Sequence, residues 1–535
     1  MIRVSGVPAM TALSPLIRGR SRAWVPPTRA SSLLFAGKVM AFRARRLALD
    51  LATGSPRLTP APAGALAAVV GRSETPLWSD EALAERALQM GKVQNLRLAA
   101  RALDGLFIPA GSTFSFWRQV GPPSRWRGYV SGRMLQQGCL VPAVGGGLCQ
   151  LSNALYETAL QAGCEIVERH AHSRIVPGSA AAVGRDATVA WNYVDLRFRA
   201  GHDLCLTARL DRGTLVVSLH AREAAPAAEP VTLERTSTAV AARSCGACDE
   251  TDCFLHDARV WPAPAGRTAF LVDEVWPELG AYVAATRRPE DPFARVRQDA
   301  TAAALSRSLA QRLAGSNAAA RRAAELDGAG RIARALARHL TPDVTAVTLA
   351  QSYLPFLWRD GQLGGREVSV LMTRLPIAVL QARLDAAAAA HPDRRSLADF
   401  RAPAWLAEAE GEALAGAARI VTPHAEIAAL FGDRAVRLDW RKPAQDGPLI
   451  RRPLRRIAFP GPTLARKGAH AVRAAALALD LEVMPLAPNW RALISGTACE
   501  PSPPAIGGTS TPSCSPPWSR TSRAACWPPW PAACR

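Results

Sequence analysis

Apolar positions change period several times along the first half of the chain, and each change marks an element. Between Asp80 and Leu106 the spacing of Leu83, Ala87, Met90, Val93, Leu96 and Leu98 predicts a helix. Pro109-Ala110-Gly111 then predicts a turn, and Thr113 to Trp117 a strand. Helical spacing returns in Leu148, Leu151, Ala154, Leu155, Ala159 and Leu160, directly after the three glycines Gly145, Gly146 and Gly147. Ala187 to Arg199 and Leu204 to His220 alternate apolar and polar residues in the manner of paired strands. Helices leading into paired strands predict an α+β domain.

From Thr268 the texture becomes a regular alternation. Ala269 to Val272, Val344 to Ala350, Val368 to Met372, Arg419 to Thr422 and Arg456 to Phe459 read as strands. Ala294 to His339, Ile377 to Ala390, Ala425 to Phe431 and Ala469 to Leu479 read as helices between and after them. Strand–helix alternation predicts a parallel sheet covered by helices, so the chain is α/β overall with a Rossmann-like second half. Thr422 as N-cap, Pro423 at the first helical position and Glu426 three residues on predict a capping box at the start of one such helix.

The glycine turn carries the candidate chemistry, because it places Cys149 in the first turn of a helix. Unpaired N–H groups and the positive end of the macrodipole stabilise a thiolate there. Glu168-Arg169-His170-Ala171-His172-Ser173 follows within a few tens of residues. Cys149 and His172 can form a nucleophile and general base, with Asp186 or Asp195 orienting the imidazole. On a strand His170 shares a face with His172, and the set Cys149, His170 and His172 can then hold zinc with an open position for water. The structural alternative makes Cys149 a small packed residue and the histidines hydrogen-bonding struts. Gln150 and Asn153 stand beside Cys149 as donors to a bound carbonyl or as caps.

GGGLCQLSNALYETAL, EIVERHAHS and GRDATVAWNYVDLRF, with KVQNLRLAARALDGLFIPAGSTFSFWRQVG and the Arg127-Gly128-Tyr129 turn upstream, resemble the VanW family. The resemblance spans roughly residues 73–220. It implies a link to glycopeptide (vancomycin) resistance and a role in cell-envelope or surface-glycan metabolism.

Composition changes the picture in three ways. The net charge of +21 is carried almost wholly by arginine, since Lys38, Lys92, Lys442 and Lys467 are the only lysines. The arginines are scattered and no aromatic-basic module accompanies them, which argues against nucleic acid and leaves an acidic partner, a sugar nucleotide or envelope-glycan precursor, or a membrane surface contacted peripherally. Residues 1–72 read as a basic, loosely structured lead-in with a short helix from Ser32 to Leu51. No secretory core or run of ~20 apolar residues is present, so the expected compartment is the cytoplasm, with contact at the inner face of the membrane. Within the linker at residues 221–267, Cys245, Cys248, Cys253 and His256 bring four soft ligands together. They can wrap one zinc, an iron–sulfur group, or no metal at all in a redox-sensitive loop.

Residues 268–485 carry a second resemblance. ARIVTPHAEIAALFGDRAVRLDW followed by RRIAFPGPTLARKGAHAVRAAALALDLEV is similar to the junction between the lobes of a GT-B glycosyltransferase. In that family the positions of Gly461, Arg466, Lys467 and Gly468 bind the diphosphate of a nucleotide-sugar donor, and a helix N-terminus beside two cations suits a pyrophosphate. His424 would lie in the cleft between lobes. Residues 486–535 abandon globular texture for Cys, Pro, Ser, Trp and Arg, ending in Cys526-Trp527-Pro528-Pro529-Trp530-Pro531. Shifted by one base, those codons encode helix-core residues, so the tail reads as out-of-frame and the second lobe as truncated. The combined expectation is a VanW-like domain joined to a truncated glycosyltransferase-like module. The rivals are a non-enzymatic binding or scaffold protein and a zinc- or redox-regulated one.

Overall fold

The computed structural model describes residues 28–53, 56–61, 66–78, 86–136, 139–172, 185–223, 243–244, 266–273, 276–315, 318–394, 397, 401–441, 455–459 and 465–485. Most of the lead-in before residue 28, the Cys245, Cys248, Cys253 and His256 cluster, Gly461, the Arg466 side chain and the 486–535 tail lie outside the described residues.

The N-terminal half runs α1 (Arg29–Thr53), β1 (Ala68–Pro76), α2 (Arg86–Leu103), β2 (Leu106–Ile108), β3 (Thr113–Ser115), α3 (Phe116–Val120), β4 (Ser131–Gln136) and β5 (Cys139–Val144). It continues through α4 (Cys149–Gln161), β6 (Glu165–Glu168), β7 (Arg197–Arg199), β8 (Leu204–Asp211) and β9 (Thr214–Ala221). An antiparallel sheet of order β1-β9-β8-β2 forms the main layer, and β3-β7-β6 makes a smaller one. The β4–β5 hairpin is joined by β10 (Arg243–Ser244), parallel to β5. Helix α2 buries Met90, Val93, Leu96, Ala99, Ala100 and Leu103, the stripe its spacing demands. All of these but Met90 meet Phe114, Phe116, Leu151, Leu155, Phe198, Leu206, Val217 and Leu219 in one core. Each such leucine or phenylalanine contributes about 2 kcal/mol by leaving water.

The alternation from Ala187 to Arg199 does not form paired strands along its length. Only an isolated bridge between Ala190 and Val194 and the short β7 are extended. Asp186 and Asp195 at either end are buried, and their carboxylates collect backbone N–H groups that a ladder would otherwise have used. Thr113 to Trp117 likewise divides into β3 and the start of α3, where the Ser115 side chain caps the helix by accepting from Arg118 N.

The C-terminal half comprises β11 (Arg267–Val272), α5 (Pro277–Thr286), β12 (Phe293–Arg295), α6 (Val296–Asp299), α7 (Thr301–Leu313), α8 (Ala318–Leu336) and β13 (Val344–Ala350). Then follow α9 (Leu354–Arg359), β14 (Glu367–Leu371), α10 (Ile377–Ala390), α11 (Ala404–Gly416), β15 (Arg419–Thr422), α12 (Ala425–Phe431) and β16 (Ala435–Arg437). Its sheet is parallel throughout, ordered β12-β11-β13-β14-β15-β16. Both faces are covered, which is why its strands read as nearly continuous apolar runs. Beyond it, β17 (Arg456–Phe459) and β18 (Glu482–Pro485) pair in parallel around α13 (Ala469–Ala478). The expected capping box is absent: His424 occupies the N-cap of α12, Thr422 ends β15 and accepts from His424 N at 3.2 Å, and Glu426 pairs with Arg383.

The halves touch along α2. Arg97, 5% exposed, donates from Nε to Gly364 O at 2.8 Å. Gly364 and Gly365 lie so close to Leu210, Val93 and Leu77 that an added Cβ would fall within 3.1 Å of them.

Candidate active site

The site starts with the backbone. Gly145 and Gly147 adopt φ of +78° and +97°, a region that a side chain disfavours. A Cβ on Gly146 would sit 2.3 Å from Gly132 O, so β4 and the glycine turn approach closer than any other residue allows. Fully buried Asn95, on α2, fixes that approach. Its Nδ2 donates to Val130 O and Gly146 O at 2.9 Å each, and its Oδ1 accepts from Val130 N at 2.9 Å. The turn therefore delivers the chain into α4 with Cys149 as its first residue.

Cys149 Sγ donates to Val189 O at 3.7 Å, and its sulfur also interacts with the His172 side chain. On the other side of the ring, Asp186 Oδ2 accepts from both His172 Nδ1 and His172 N at 2.7 Å. That contact leaves Nε2 for the sulfur, so thiol, imidazole and carboxylate form one hydrogen-bonded series. Asp186, 2% exposed, is held in turn by Arg169, which donates from Nη2 to Oδ1 at 2.9 Å and from Nε to Asp186 O at 2.7 Å. The Arg169 guanidinium lies over the Tyr156 ring, 5.2 Å from its centroid.

Helix α4 positions the carboxylate as well as the thiol. Ser152 Oγ donates to Ala187 O at 2.5 Å, and Asn153 Oδ1 accepts from Ala187 N at 2.8 Å, which clamps the residue following Asp186. Thr188 N donates to His170 O at 2.7 Å and ties the histidine segment to the same stretch. One helix thus fixes both ends of the series.

The electrostatics follow from these contacts. Burial disfavours a charged His172, but the hydrogen bonds to Asp186 and Cys149 and the charges of both groups outweigh it, raising its pKa from 6.5 to about 9. Burial works against an ionised Asp186 too, yet the side-chain and backbone hydrogen bonds from His172 and the charges of His172 and Arg169 bring its pKa below the usual carboxylate value. Near neutral pH the pair is an imidazolium against a carboxylate.

The other candidates fall elsewhere. His170 is exposed and its Nε2 faces Glu168 Oε1 at 3.2 Å, so it does not share the inward face with His172; the segment from Arg169 to His172 is not a strand. The zinc set of Cys149, His170 and His172 is therefore not assembled, and among the described residues no three His, Cys, Asp or Glu side chains are grouped to hold a metal ion. Asp195 braces the start of α3 and its N-cap Ser115 instead of orienting an imidazole, accepting from Ser115 Oγ at 2.6 Å, Trp117 N at 3.1 Å and Arg197 Nε at 3.0 Å. Burial pushes its carboxyl pKa up despite those bonds. Gln150 Nε2 is spent on Thr75 Oγ1 and Pro76 O, at 2.9 and 2.8 Å. In the C-terminal half, Lys467 is exposed at the end of a short 3-10 turn, and Gly468, with φ of +83°, is the N-cap of α13.

Asn95, Arg169, Ser152 and Asn153 complete the site as positioning residues. Of these, Asn153 is singled out by the sequence, as a donor or cap beside Cys149; Arg169 stands in the histidine run with no role assigned to it, and nothing marks Asn95 or Ser152.

With this arrangement in hand, residues 91–220 match the family model described as VanW like protein, and the chain carries a VanW-like domain. Over 131 residues it is 37% identical to an uncharacterized protein, YoaR, of Bacillus subtilis (strain 168), covering 24% of this chain and 43% of the relative. Over 120 residues it is 39% identical to the vancomycin B-type resistance protein VanW of Enterococcus faecalis (strain ATCC 700802 / V583), covering 22% and 43%. The chain thus spans less than half the length of these curated relatives. No solved structure matches it.

Proposed function

We propose that the VanW-like domain is a thiol-dependent acyl-transfer enzyme acting on a cell-envelope precursor, with Cys149 as nucleophile, His172 as proton carrier and Asp186 as its orienting counter-charge. The observation that carries this reading is the hydrogen-bonded series from Cys149 through His172 to Asp186 at the start of α4. In the first half-reaction Sγ bonds to an acyl carbon and the carbonyl π electrons move to oxygen. Collapse of that adduct expels an amine or alcohol, which takes the proton held by His172. Water then attacks the thioester with His172 as base, releasing the acid and the thiol. The imidazolium that the raised pKa implies suits it as counter-ion to a thiolate and as acid to the leaving group. The envelope assignment is supported by the name of the E. faecalis relative.

The test is incubation of the full chain with peptide-bearing envelope precursors, with intact-protein mass spectrometry for the acyl-enzyme. Wild type should accumulate an adduct on Cys149 and Cys149→Ala none. Adduct formation or turnover that survives Cys149→Ala would overturn the proposal.

A second reading concerns residues 268–485, as a nucleotide-sugar module. It is supported by the helix-covered parallel sheet and by the order of β17, the Lys467 turn and α13, with a cation beside a helix start.

A further inference from the structure

Helix α1 is cationic and apolar at once. The first 49 residues of the chain contain nine arginine and lysine residues and no aspartate or glutamate. One side of α1 is pinned to the VanW-like domain: Arg46 pairs with Glu168, Arg43 Nε donates to Trp191 O at 2.7 Å, and Phe42 stacks on Tyr193 with centroids 6.3 Å apart. Leu33, Met40 and Leu47 recur every seven residues on another side, and they are 75%, 63% and 57% exposed. Exposed Leu34 lies about a quarter-turn from this stripe, with Gly37, Ala41, Ala44 and Ala48 in the arc between, and Lys38 and Arg45, themselves seven apart, line the edge beyond Leu34. The VanW-like domain therefore holds the helix in place while Leu33, Leu34, Met40 and Leu47 face solvent.

We infer that α1 docks the protein on an anionic lipid bilayer, with Leu33, Met40 and Leu47 entering the headgroup–acyl boundary and Lys38 and Arg45 on the lipid phosphates. Three observations select this occupant. An apolar stripe edged by cations is the composition that binds anionic interfaces. A second copy of α1 would instead bring Lys38 and Arg45 against their own kind, and the one acidic residue of Arg29–Thr53, Asp50, comes after the stripe ends and cannot pair both cations. No described helix is long and apolar enough to cross a membrane, so the stripe is placed to lie on the surface. Because the pinned side of α1 reaches Glu168 and Trp191, docking sets the VanW-like domain directly against the lipid. The inference stands independently of thiol chemistry at Cys149.

The experiment is co-sedimentation of the full chain with vesicles of phosphatidylcholine alone and of phosphatidylcholine with phosphatidylglycerol, at low and high salt. Binding is expected to the anionic vesicles only, and to weaken with salt. Each cation at a lipid surface is worth about fivefold in partitioning, so the double variant Lys38→Glu, Arg45→Glu should bind at least ~25-fold more weakly. The triple variant Leu33→Gln, Met40→Gln, Leu47→Gln should also lose binding. All five positions are exposed, so far-UV circular dichroism and the thermal midpoint should stay at wild-type values. Absence of binding to anionic vesicles would overturn the inference, as would equal binding to neutral ones or undiminished binding by both variants. A wild-type dimer that the triple variant dissolves, without vesicle binding, would instead assign the stripe to contact between copies.

Discussion

Replacing Asp186 by Asn removes a charge from the centre of the site while preserving its shape. In the wild type, Asp186 Oδ2 takes two hydrogen bonds from His172, and the histidine pKa stands at about 9. The interval from 6.5 to about 9 corresponds to roughly 3 kcal/mol of preference for the imidazolium in the folded protein. Burial opposes that preference, and without the carboxylate Cys149 alone offsets it, so His172 should titrate well below about 9 in Asp186→Asn. The assay is proton–carbon NMR of histidine labelled at Cε1; with nine histidines in the chain, His172→Ala assigns the signal. The sign for stability follows. His172 has its folded pKa raised, so its contribution is fully present below 6.5 and lost as pH rises through about 9. Asp186 has its folded pKa lowered, so its contribution is present above the unfolded value of 3.8 and lost as pH falls through the folded one. Asp186→Asn should therefore flatten the loss of stability between neutral pH and about 9. A wild-type His172 that titrates near 6.5, or a variant still near 9, would refute the reasoning.

Asn95→Ala strands Val130 N, Val130 O and Gly146 O, and should cost about 2–4 kcal/mol in denaturant unfolding and slow alkylation of Cys149. Normal stability in that variant would show that the glycine turn holds itself. UDP and GDP should bind weakly and lose affinity in Lys467→Ala, read by isothermal titration, with no sugar transfer detectable; unaltered binding would remove Lys467 from the role, and robust turnover would refute the truncation of the second lobe. If Cys245, Cys248, Cys253 and His256 hold zinc or iron, elemental analysis should find about one metal per chain, reduced in Cys248→Ser; metal-free wild type would end that reading.

Periodicity carried the sequence reading furthest where strands are covered on both faces. Ile377–Ala390, Arg419–Thr422 and Ala425–Phe431 match their expected limits because packing on a helix-covered sheet leaves little ambiguity of period; Arg456–Phe459 also matches, although it lies in a separate two-stranded pair and is largely exposed. It failed in β1, β4 and β5. Ala68–Pro76 is a half-exposed strand broken by an irregular register at Gly71, and Ser131–Gln136 and Cys139–Val144 carry a glycine and a proline, so neither alternates cleanly. The long helical stretch from Ala294 to His339 is divided by the break at Ala300 and the turn at Gly315, which its alanine-rich pattern does not mark. For the site, the residue types were legible but the pairing was not. Choosing Asp186 over Asp195, and His172 over His170, depends on which backbone segments α4 clamps, and a clamp through Ser152 and Asn153 leaves no periodic trace.

The Arg97 contact decides how the two halves can be handled in the laboratory. A chain ending after Ala221 would lose Gly364 O, leaving the Arg97 guanidinium without that acceptor, and would open Leu77, Val93 and Leu210 to water on one flank. Such a fragment should be prone to self-association even though its own core is intact. The same α2 carries Asn95 two residues earlier in sequence, so mishandling the second half would loosen the turn that presents Cys149. Domain dissection, the usual first step with a two-part chain, would here disturb the very turn it set out to isolate.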